Sequence, residues 1–137
     1  RVASAFARHG VETRRLDMRA RTGPGEYWRT LAEMDIALDP FPYNGGATTC
    51  DCLWMGIPVV TLAGAFGFAR SGASILGAAG LHELIASDPA GYHSIAVGLA
   101  RDGERLARLR AGLRERLRAS VLMDGPRFAR ARSIRAA

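Results

Sequence analysis

The segment from residue 35 to residue 64 constrains the fold of this chain more than any other. It reads DIALDPFPYNGGATTCDCLWMGIPVVTLAG: a short apolar run, a glycine-rich loop with hydroxyl residues, a helical stretch that contains one acid, and a β-branched run. This order is typical of parallel α/β domains, in which the N-terminus of a helix binds phosphate groups. A carboxylate one helical turn further on could bind a ribose diol.

Helices and strands alternate over the first 88 residues. The patterns predict helices over 1–9, 26–34, 48–55 and about 70–79, strands over 11–18, 35–38 and 57–62, and a connector or short strand over 81–85. They predict three further helices over 89–101, 104–118 and 123–137. We therefore expect one lobe over 1–137, with an α/β core over 1–88 and a helical part over 89–137. Its fold class is α/β: a Rossmann-like parallel sheet with helices on both faces, followed by C-terminal helices.

All 19 basic residues of the chain are arginine, and they are concentrated near its C-terminal end. Residues 1–100 hold 8 Arg and 9 acids, whereas residues 101–137 hold 11 Arg and 4 acids. Such a basic region could bind nucleic acid, here through Arg110, Arg114 and Arg118. The helical spacing of these arginines also fits a solvated helix face, and no nucleic-acid motif accompanies them, so we expect no nucleic-acid partner.

Cys50 and Cys52 lie one residue apart in a predicted helix, where they cannot form a disulfide with each other. Without further cysteines or a nearby histidine they are no zinc signature, so we predict no metal site. Two reduced thiols predict a cytoplasmic protein. No apolar run reaches the ~20 residues that span a bilayer. The first residues, RVASAFARHG, lack an initiator Met and an export signal, which predicts a piece of a longer polypeptide.

The loop and the helix start that follows it are the candidate binding site. Gly45 and Gly46 permit close approach of the backbone to a ligand, and the hydroxyls and amides of Thr48 and Thr49 could cap the helix or face an anion. A simple capped turn explains the same residues. Asp51, expected in the first helical turn, either favours the positive helix end or accepts from a ribose diol.

Two other residues near the predicted site leave alternatives open. Asn44 could tie the loop to itself or contact a ligand. Arg70 could cap a helix or meet an acidic partner or a ligand, and we include it among the candidate nucleotide-sugar-binding residues. Trp54 is expected in the core. The three histidines stand apart from any cluster, which argues against a catalytic histidine in this chain.

Three stretches resemble one known family over nearly the whole chain. They are residues 35–64, the run ARSGASILGAAGL from residue 69, and the run SVLMDGPRFARA from residue 120. Together they resemble the C-terminal part of the O-linked N-acetylglucosamine transferases, especially the bacterial members with tetratricopeptide repeats (TPR) and the related SPINDLY group. The TTC and LWMG elements within residues 35–64 make the resemblance specific.

The resemblance implies a glycosyltransferase of the GT-B type, which has two Rossmann-like lobes. This chain would be most of the C-terminal lobe, which binds the nucleotide-sugar donor. By position, Gly46, Ala47 and Thr48 match the loop and helix start that contact the diphosphate, and Asp51 matches the acid on the ribose. Tyr27 falls where the family often has a histidine near the nucleotide.

The implied reaction is transfer of a sugar, expected to be N-acetylglucosamine, from its UDP donor to a Ser or Thr of an acceptor protein, with inversion and without a metal or cofactor. The N-terminal lobe and the repeat region that selects the acceptor would lie outside these residues, so no catalytic residue is expected here and the isolated chain is expected to be inactive. Ala47 departs from the family, which usually has a hydroxyl residue there. Pro24 lies where animal members have a base-contacting lysine. The alternative is a non-catalytic or degenerate nucleotide-binding or assembly module.

Overall fold

The structure, a computed structural model, describes residues 1–133. The chain divides into two compact units, residues 1–30 and the residues from 31 onward. The point of division lies within the helix α2, Pro24–Ala32. This helix begins with a proline, which is favoured there because the first N–H of a helix has no intrahelical partner and proline lacks that N–H.

The first unit holds the helix α1, Val2–Arg8, and a 3₁₀ turn, Thr13–Arg15. Gly10 adopts a positive φ of 74° just after α1, as its position at a helix end predicts. The strand predicted over 11–18 is wrong. No strand of the described residues pairs with this segment. Its charged side chains form local ion pairs, such as that of Asp17 Oδ2 with Arg19 Nη2 at 2.6 Å.

The second unit is built on three parallel strands in the order β1, β2, β3. They are Ala37–Leu38, Val59–Leu62 and Ile85–Ala86. The central strand β2 is buried along its whole length, as its β-branched sequence predicts. The strand predicted over 35–38 is shorter and less buried than expected: Leu38 is 57% exposed, because β1 lies at an edge of the described sheet.

Five helices complete the described part of the second unit. They are α3 Ala47–Trp54, α4 Ser71–Ala78, α5 Pro89–Arg101, α6 Gly103–Ala119 and α7 Gly125–Ser133. Helices α4 and α5 pack against β2 and β3, and α6 packs against α3 and α5. Leu53, Leu76, Leu99 and Leu113 are fully buried in this core. The predicted parallel α/β class is confirmed, and the long helices after residue 88 lie where they were predicted.

The boundaries of the remaining elements differ from the predictions by a few residues. The predicted connector over 81–85 is a 3₁₀ turn, His82–Leu84, followed by β3. The last helix was predicted over 123–137, and its final four residues lie outside the described residues. Within residues 1–133, no helix is both long enough and apolar enough to cross a membrane.

Two of the arginines considered for nucleic acid make contacts within the protein instead. Arg114 Nε donates to the carbonyl of Trp54 at 2.7 Å, and its guanidinium lies 5.2 Å from the Trp54 ring centre. Arg110 Nη1 donates to Asp35 Oδ1 at 2.6 Å and to the carbonyl of Met34 at 3.1 Å. These arginines join α6 to the end of α3 and to the segment just before β1. The expectation that Trp54 is core is wrong, because the residue is 36% exposed and the Arg114 guanidinium lies over its ring.

Candidate functional site

A buried carboxylate organises the loop that follows β1. Asp39 is 3% exposed and comes directly after the strand. Its Oδ1 accepts from the backbone N–H of Gly45 at 2.7 Å, and its Oδ2 accepts from the Thr61 hydroxyl at 2.6 Å. The Tyr92 hydroxyl donates to the Asp39 carbonyl at 3.0 Å. One side chain therefore fixes the glycine loop to β2, at the carboxyl ends of the strands where α/β proteins bind ligands.

Only one of the two loop glycines is required by packing. A Cβ on Gly45 would lie 2.7 Å from Thr48 Oγ1 and 2.8 Å from Thr49 Oγ1, both too close for a carbon atom. A Cβ on Gly46 would meet nothing within 4 Å. Gly45 therefore lets the loop lie tightly against the first turn of α3, whereas the space beside Gly46 is open.

Helix α3 begins one residue earlier than predicted, which changes the roles of the two threonines. Its N-cap is Gly46, with no hydrogen bond from a capping side chain. Thr48 and Thr49 therefore do not cap the helix, one of the two roles considered for them, because both lie inside its first turn. An N-terminus without a side-chain cap leaves backbone N–H groups directed outward, which is the arrangement that binds anions.

Helical spacing divides the residues of α3 between two faces. Thr49, Cys52 and Leu53 are buried, and the Thr49 hydroxyl lies beside Gly45. Ala47 and Thr48 are exposed, and Asp51 is partly exposed. Asp51 follows Ala47 by four residues and Thr48 by three, so all three lie on one side of the helix. Asp51 lies in the second turn and not in the first as predicted, since no acid occupies the first turn. The side of α3 with Ala47, Thr48 and Asp51 is exposed or partly exposed, whereas Thr49 is buried. The hydroxyls of both threonines lie beside Gly45.

Two loops contribute exposed aromatic rings next to this site. Tyr43 stacks on Phe68 with ring centres 4.8 Å apart, and Phe66 stacks on Phe68 at 5.7 Å. Asn44 binds both loops: its Nδ2 donates to the Pro40 carbonyl at 3.0 Å, and its backbone N–H donates to the Phe68 carbonyl at 3.3 Å. The Asn44 amide thus ties the loop to itself, one of the two roles considered for it.

The two cysteines of α3 are free thiols. Burial, with the negative charges of Asp51 and Asp39 as smaller causes, raises the pKa of Cys52 to about 11. Burial also raises the pKa of Cys50, followed by the effect of Asp51. Both side chains are therefore protonated near neutral pH, a state that suits neither a nucleophile nor a metal ligand. In the described part of the chain, no group of three or more His, Cys, Asp or Glu is arranged to hold a metal ion.

Two of the predicted site residues lie outside the loop and α3 in the sequence. Tyr27 belongs to the first unit, where its ring packs edge-on against Trp28 with ring centres 5.3 Å apart. Arg70 precedes α4, donates from Nη1 to the Gly64 carbonyl at 2.9 Å, and lines a pocket beside α4. None of residues 45–49, nor Asp51, lines that pocket.

Sequence reasoning overlooked Asp39 and its partners Thr61 and Tyr92 as parts of the site. The sequence patterns predict only a strand that ends just before Asp39. The position of Asp39 in the sequence could have indicated this role. The acid follows a predicted strand and precedes Gly45 by six residues, a spacing that lets a loop fold back and bring the glycine N–H to the carboxylate. The partner Thr61 lies 22 residues away in sequence, and only the parallel pairing of β1 with β2 brings it near.

The fold and the loop together define a Rossmann-like α/β lobe of the GT-B glycosyltransferase type. Residues 1–131 match the family described as glycosyl transferase family 41, and the chain belongs to this family. A solved structure of a mutant of Thermobaculum terrenum O-GlcNAc transferase is similar, with a TM-score of 0.81 and 42% identity. The similarity covers 86% of this chain and 23% of that one.

Plant proteins named probable UDP-N-acetylglucosamine–peptide N-acetylglucosaminyltransferase SPINDLY are similar in sequence. The protein from Arabidopsis thaliana is 38% identical over 121 residues, which is 88% of this chain and 13% of the relative. The protein from Solanum lycopersicum is 37% identical over 131 residues, which is 95% of this chain and 14% of the relative. The chain therefore spans a small part of the length of these relatives.

Proposed function

We propose that this chain is the donor-binding half of an inverting protein O-glycosyltransferase, with UDP-N-acetylglucosamine as the donor and Ser or Thr hydroxyls as acceptors. The names of its relatives support the donor and the peptide acceptor. The observation that carries the proposal is the uncapped start of α3, delivered by a glycine loop that Asp39 holds in place. The exposed side of α3 would then bind the donor.

In this proposal the diphosphate lies at the N-terminus of α3. The backbone N–H groups of Gly46, Ala47, Thr48 and Thr49, together with the Thr48 hydroxyl, would donate to its oxygens. The open space beside Gly46 would let the diphosphate approach the backbone, and Gly45 would hold the loop close to the first turn of α3. Asp51 would accept from the ribose hydroxyls. Tyr27 joins the proposal through the family pattern alone, as a residue near the nucleotide.

The N-terminus of α3 would assist the reaction by stabilising the charge that develops on the leaving diphosphate. The acceptor oxygen would attack the anomeric carbon as the bond from that carbon to the diphosphate oxygen breaks, which inverts the configuration. The acceptor proton would pass to a base outside this chain. We propose that no metal ion is needed, because positive groups and the helix dipole can offset this charge.

Residues 1–137 would form one lobe, with an α/β core over 1–88 and a helical part over 89–137. This lobe would belong to a longer cytoplasmic polypeptide. The other lobe and an acceptor-selecting repeat region would come from that polypeptide, and the isolated chain would not transfer sugar. A second candidate is a degenerate module that no longer holds the donor. Ala47 favours it, because it removes a side-chain donor at the proposed diphosphate site.

Asp51→Asn is expected to weaken UDP binding by roughly tenfold, because the variant loses the charged acceptor for the ribose diol. Calorimetric titration of UDP into the full-length polypeptide measures the change. Glu115→Gln is a matched control, because it removes an exposed helical acid far along the chain and should leave the affinity unchanged. Equal affinities of the Asp51→Asn variant and the unchanged protein would rule out the ribose role. Absence of UDP binding to the unchanged protein would favour the degenerate module.

Ala47→Thr is expected to tighten UDP binding by about threefold to tenfold, since it adds a hydroxyl donor at the exposed first position of α3. Ala47→Val is the matched control, because it has nearly the same shape and no hydroxyl. The same titration should show tighter binding for threonine only. Tighter binding of both variants would mean that bulk, and not a hydrogen bond, is responsible.

A further inference from the structure

A pocket of about 680 Å³ lies beside α4, near the end of β2. None of the residues that the proposed function assigns to the donor lines it. Its volume is within the range of 300–1,000 Å³, roughly, that is usual for small-molecule sites. Small residues such as Gly67 and Gly77 line part of it and leave it room. The polar side chains that line it are Arg70, Ser71, Ser74 and His82.

The polar groups of this pocket suit an anion. One guanidinium, one imidazole and two hydroxyls can all donate hydrogen bonds, and no acid of the described residues lines the pocket. The acid nearest in sequence, Glu83, has its Oε1 3.6 Å from Nη1 of Arg116 and is thus directed toward α6. An anion in the pocket would therefore meet positive charge and donors without an opposing carboxylate.

The walls of the pocket are held by contacts within the lobe. Arg70 Nη1 donates to the Gly64 carbonyl at 2.9 Å, which fixes one edge of the guanidinium and leaves its other N–H groups for a ligand. The His82 ring lies over α4, with its Cε1 3.7 Å from the position of a Cβ on Gly77. A guanidinium with one edge fixed loses less freedom on binding an oxyanion than a mobile one does.

We propose that this pocket binds a phosphoryl group, at a site separate from that of the donor. Arg70 supplies the charge, and the serine hydroxyls and His82 donate to the remaining oxygens. Phosphate oxygens match the planar fork of an arginine. The group could be carried by a small phosphate or by a phosphorylated side chain of a protein, and both present the same oxygens to the pocket.

Calorimetry on the full-length polypeptide tests the site with two probes, inorganic phosphate and the peptide Gly-phosphoserine-Gly. Saturable binding with a Kd on the order of 1 mM or tighter is expected for at least one probe. Equal binding of both assigns the site to small phosphates, and tighter binding of the peptide assigns it to protein-borne phosphate. Each titration is repeated with UDP in excess. Loss of phosphate binding in the presence of UDP would overturn the separate site, as would no saturable binding of either probe.

Three variants locate the binding. Arg70→Gln is expected to weaken phosphate binding roughly tenfold or more, whereas Arg101→Gln, which removes an exposed arginine from the end of α5, should change nothing. Equal losses of phosphate affinity in Arg70→Gln and Arg101→Gln would indicate a diffuse attraction of phosphate to the positive surface, and would overturn the proposed site. Gly77→Leu keeps every charge and fills the pocket, so it should abolish binding while the protein stays folded. Full phosphate affinity in folded Gly77→Leu would also overturn the proposal.

Discussion

Replacing Asp39 with alanine is expected to lower the free energy of unfolding by about 3–5 kcal/mol. The carboxylate is 3% exposed and accepts from the Gly45 N–H and the Thr61 hydroxyl. Its removal leaves two donors without partners in a buried place, each costing about 1–3 kcal/mol. Urea denaturation followed by circular dichroism measures the change.

Two further substitutions separate the role of Asp39 from a general effect of charge. Asp35→Ala removes an acid just before the same strand, but that side chain is exposed and its pair with Arg110 is at the surface, so the cost should stay below about 1 kcal/mol. Asp39→Asn keeps one acceptor for Gly45, and the Thr61 hydroxyl can rotate to accept from the new amide. The loss in free energy of unfolding for Asp39→Asn should therefore fall between the losses for Asp35→Ala and Asp39→Ala. A loss for Asp39→Ala no larger than that for Asp35→Ala would show that the carboxylate does not hold the loop.

The same substitution connects the fold with the proposed function. The glycine loop has no regular structure of its own, and the Asp39 carboxylate is the side chain that fixes Gly45 to β2. UDP affinity is therefore expected to fall in Asp39→Ala even under conditions in which the protein remains folded. Asp39 is then a positioning residue, which acts through the loop without touching the donor.

The α/β class could be predicted from the sequence because the signals are local. The β-branched run of β2, the Gly after α3 and the leucines of α6 each indicate an element without reference to distant residues. The strand predicted over 11–18 failed for the opposite reason. The loose alternation of apolar residues over 11–18 favours a strand, but a strand also needs a neighbour, and no described strand pairs with this segment.

The candidate site could be predicted only in part. The loop and α3 were located because glycines, threonines and one acid follow each other in sequence. The orientation of their side chains could not be predicted, because it depends on the residue at which the helix begins. Because α3 begins one residue earlier than predicted, Thr49 is buried within its first turn, whereas Thr48 is exposed and Asp51 is partly exposed. The arginines of α6 show the same limit, since their partners Asp35 and Trp54 are 60 or more residues away.

Gly72→Ala is expected to destabilise the protein by roughly 3 kcal/mol, although alanine normally favours a helix over glycine. Gly72 lies in the first turn of α4, and a Cβ there would clash with Asp39 Oδ2 and Thr61 Oγ1, the two atoms of the buried hydrogen bond. The helix must move away from β2, or that hydrogen bond must break. Urea denaturation measures the loss.

Gly98→Ala is the matched control, because it makes the same change within a helix at a place where a Cβ meets nothing within 4 Å. There the higher helix propensity of alanine should stabilise the protein by up to about 1 kcal/mol. The same change from glycine to alanine is therefore expected to lower the free energy of unfolding at position 72 and to raise it at position 98. If Gly72→Ala were also stabilising, α4 would not be packed against the carboxylate. In that case Asp39 could move, and the glycine loop would not be held ready for a diphosphate.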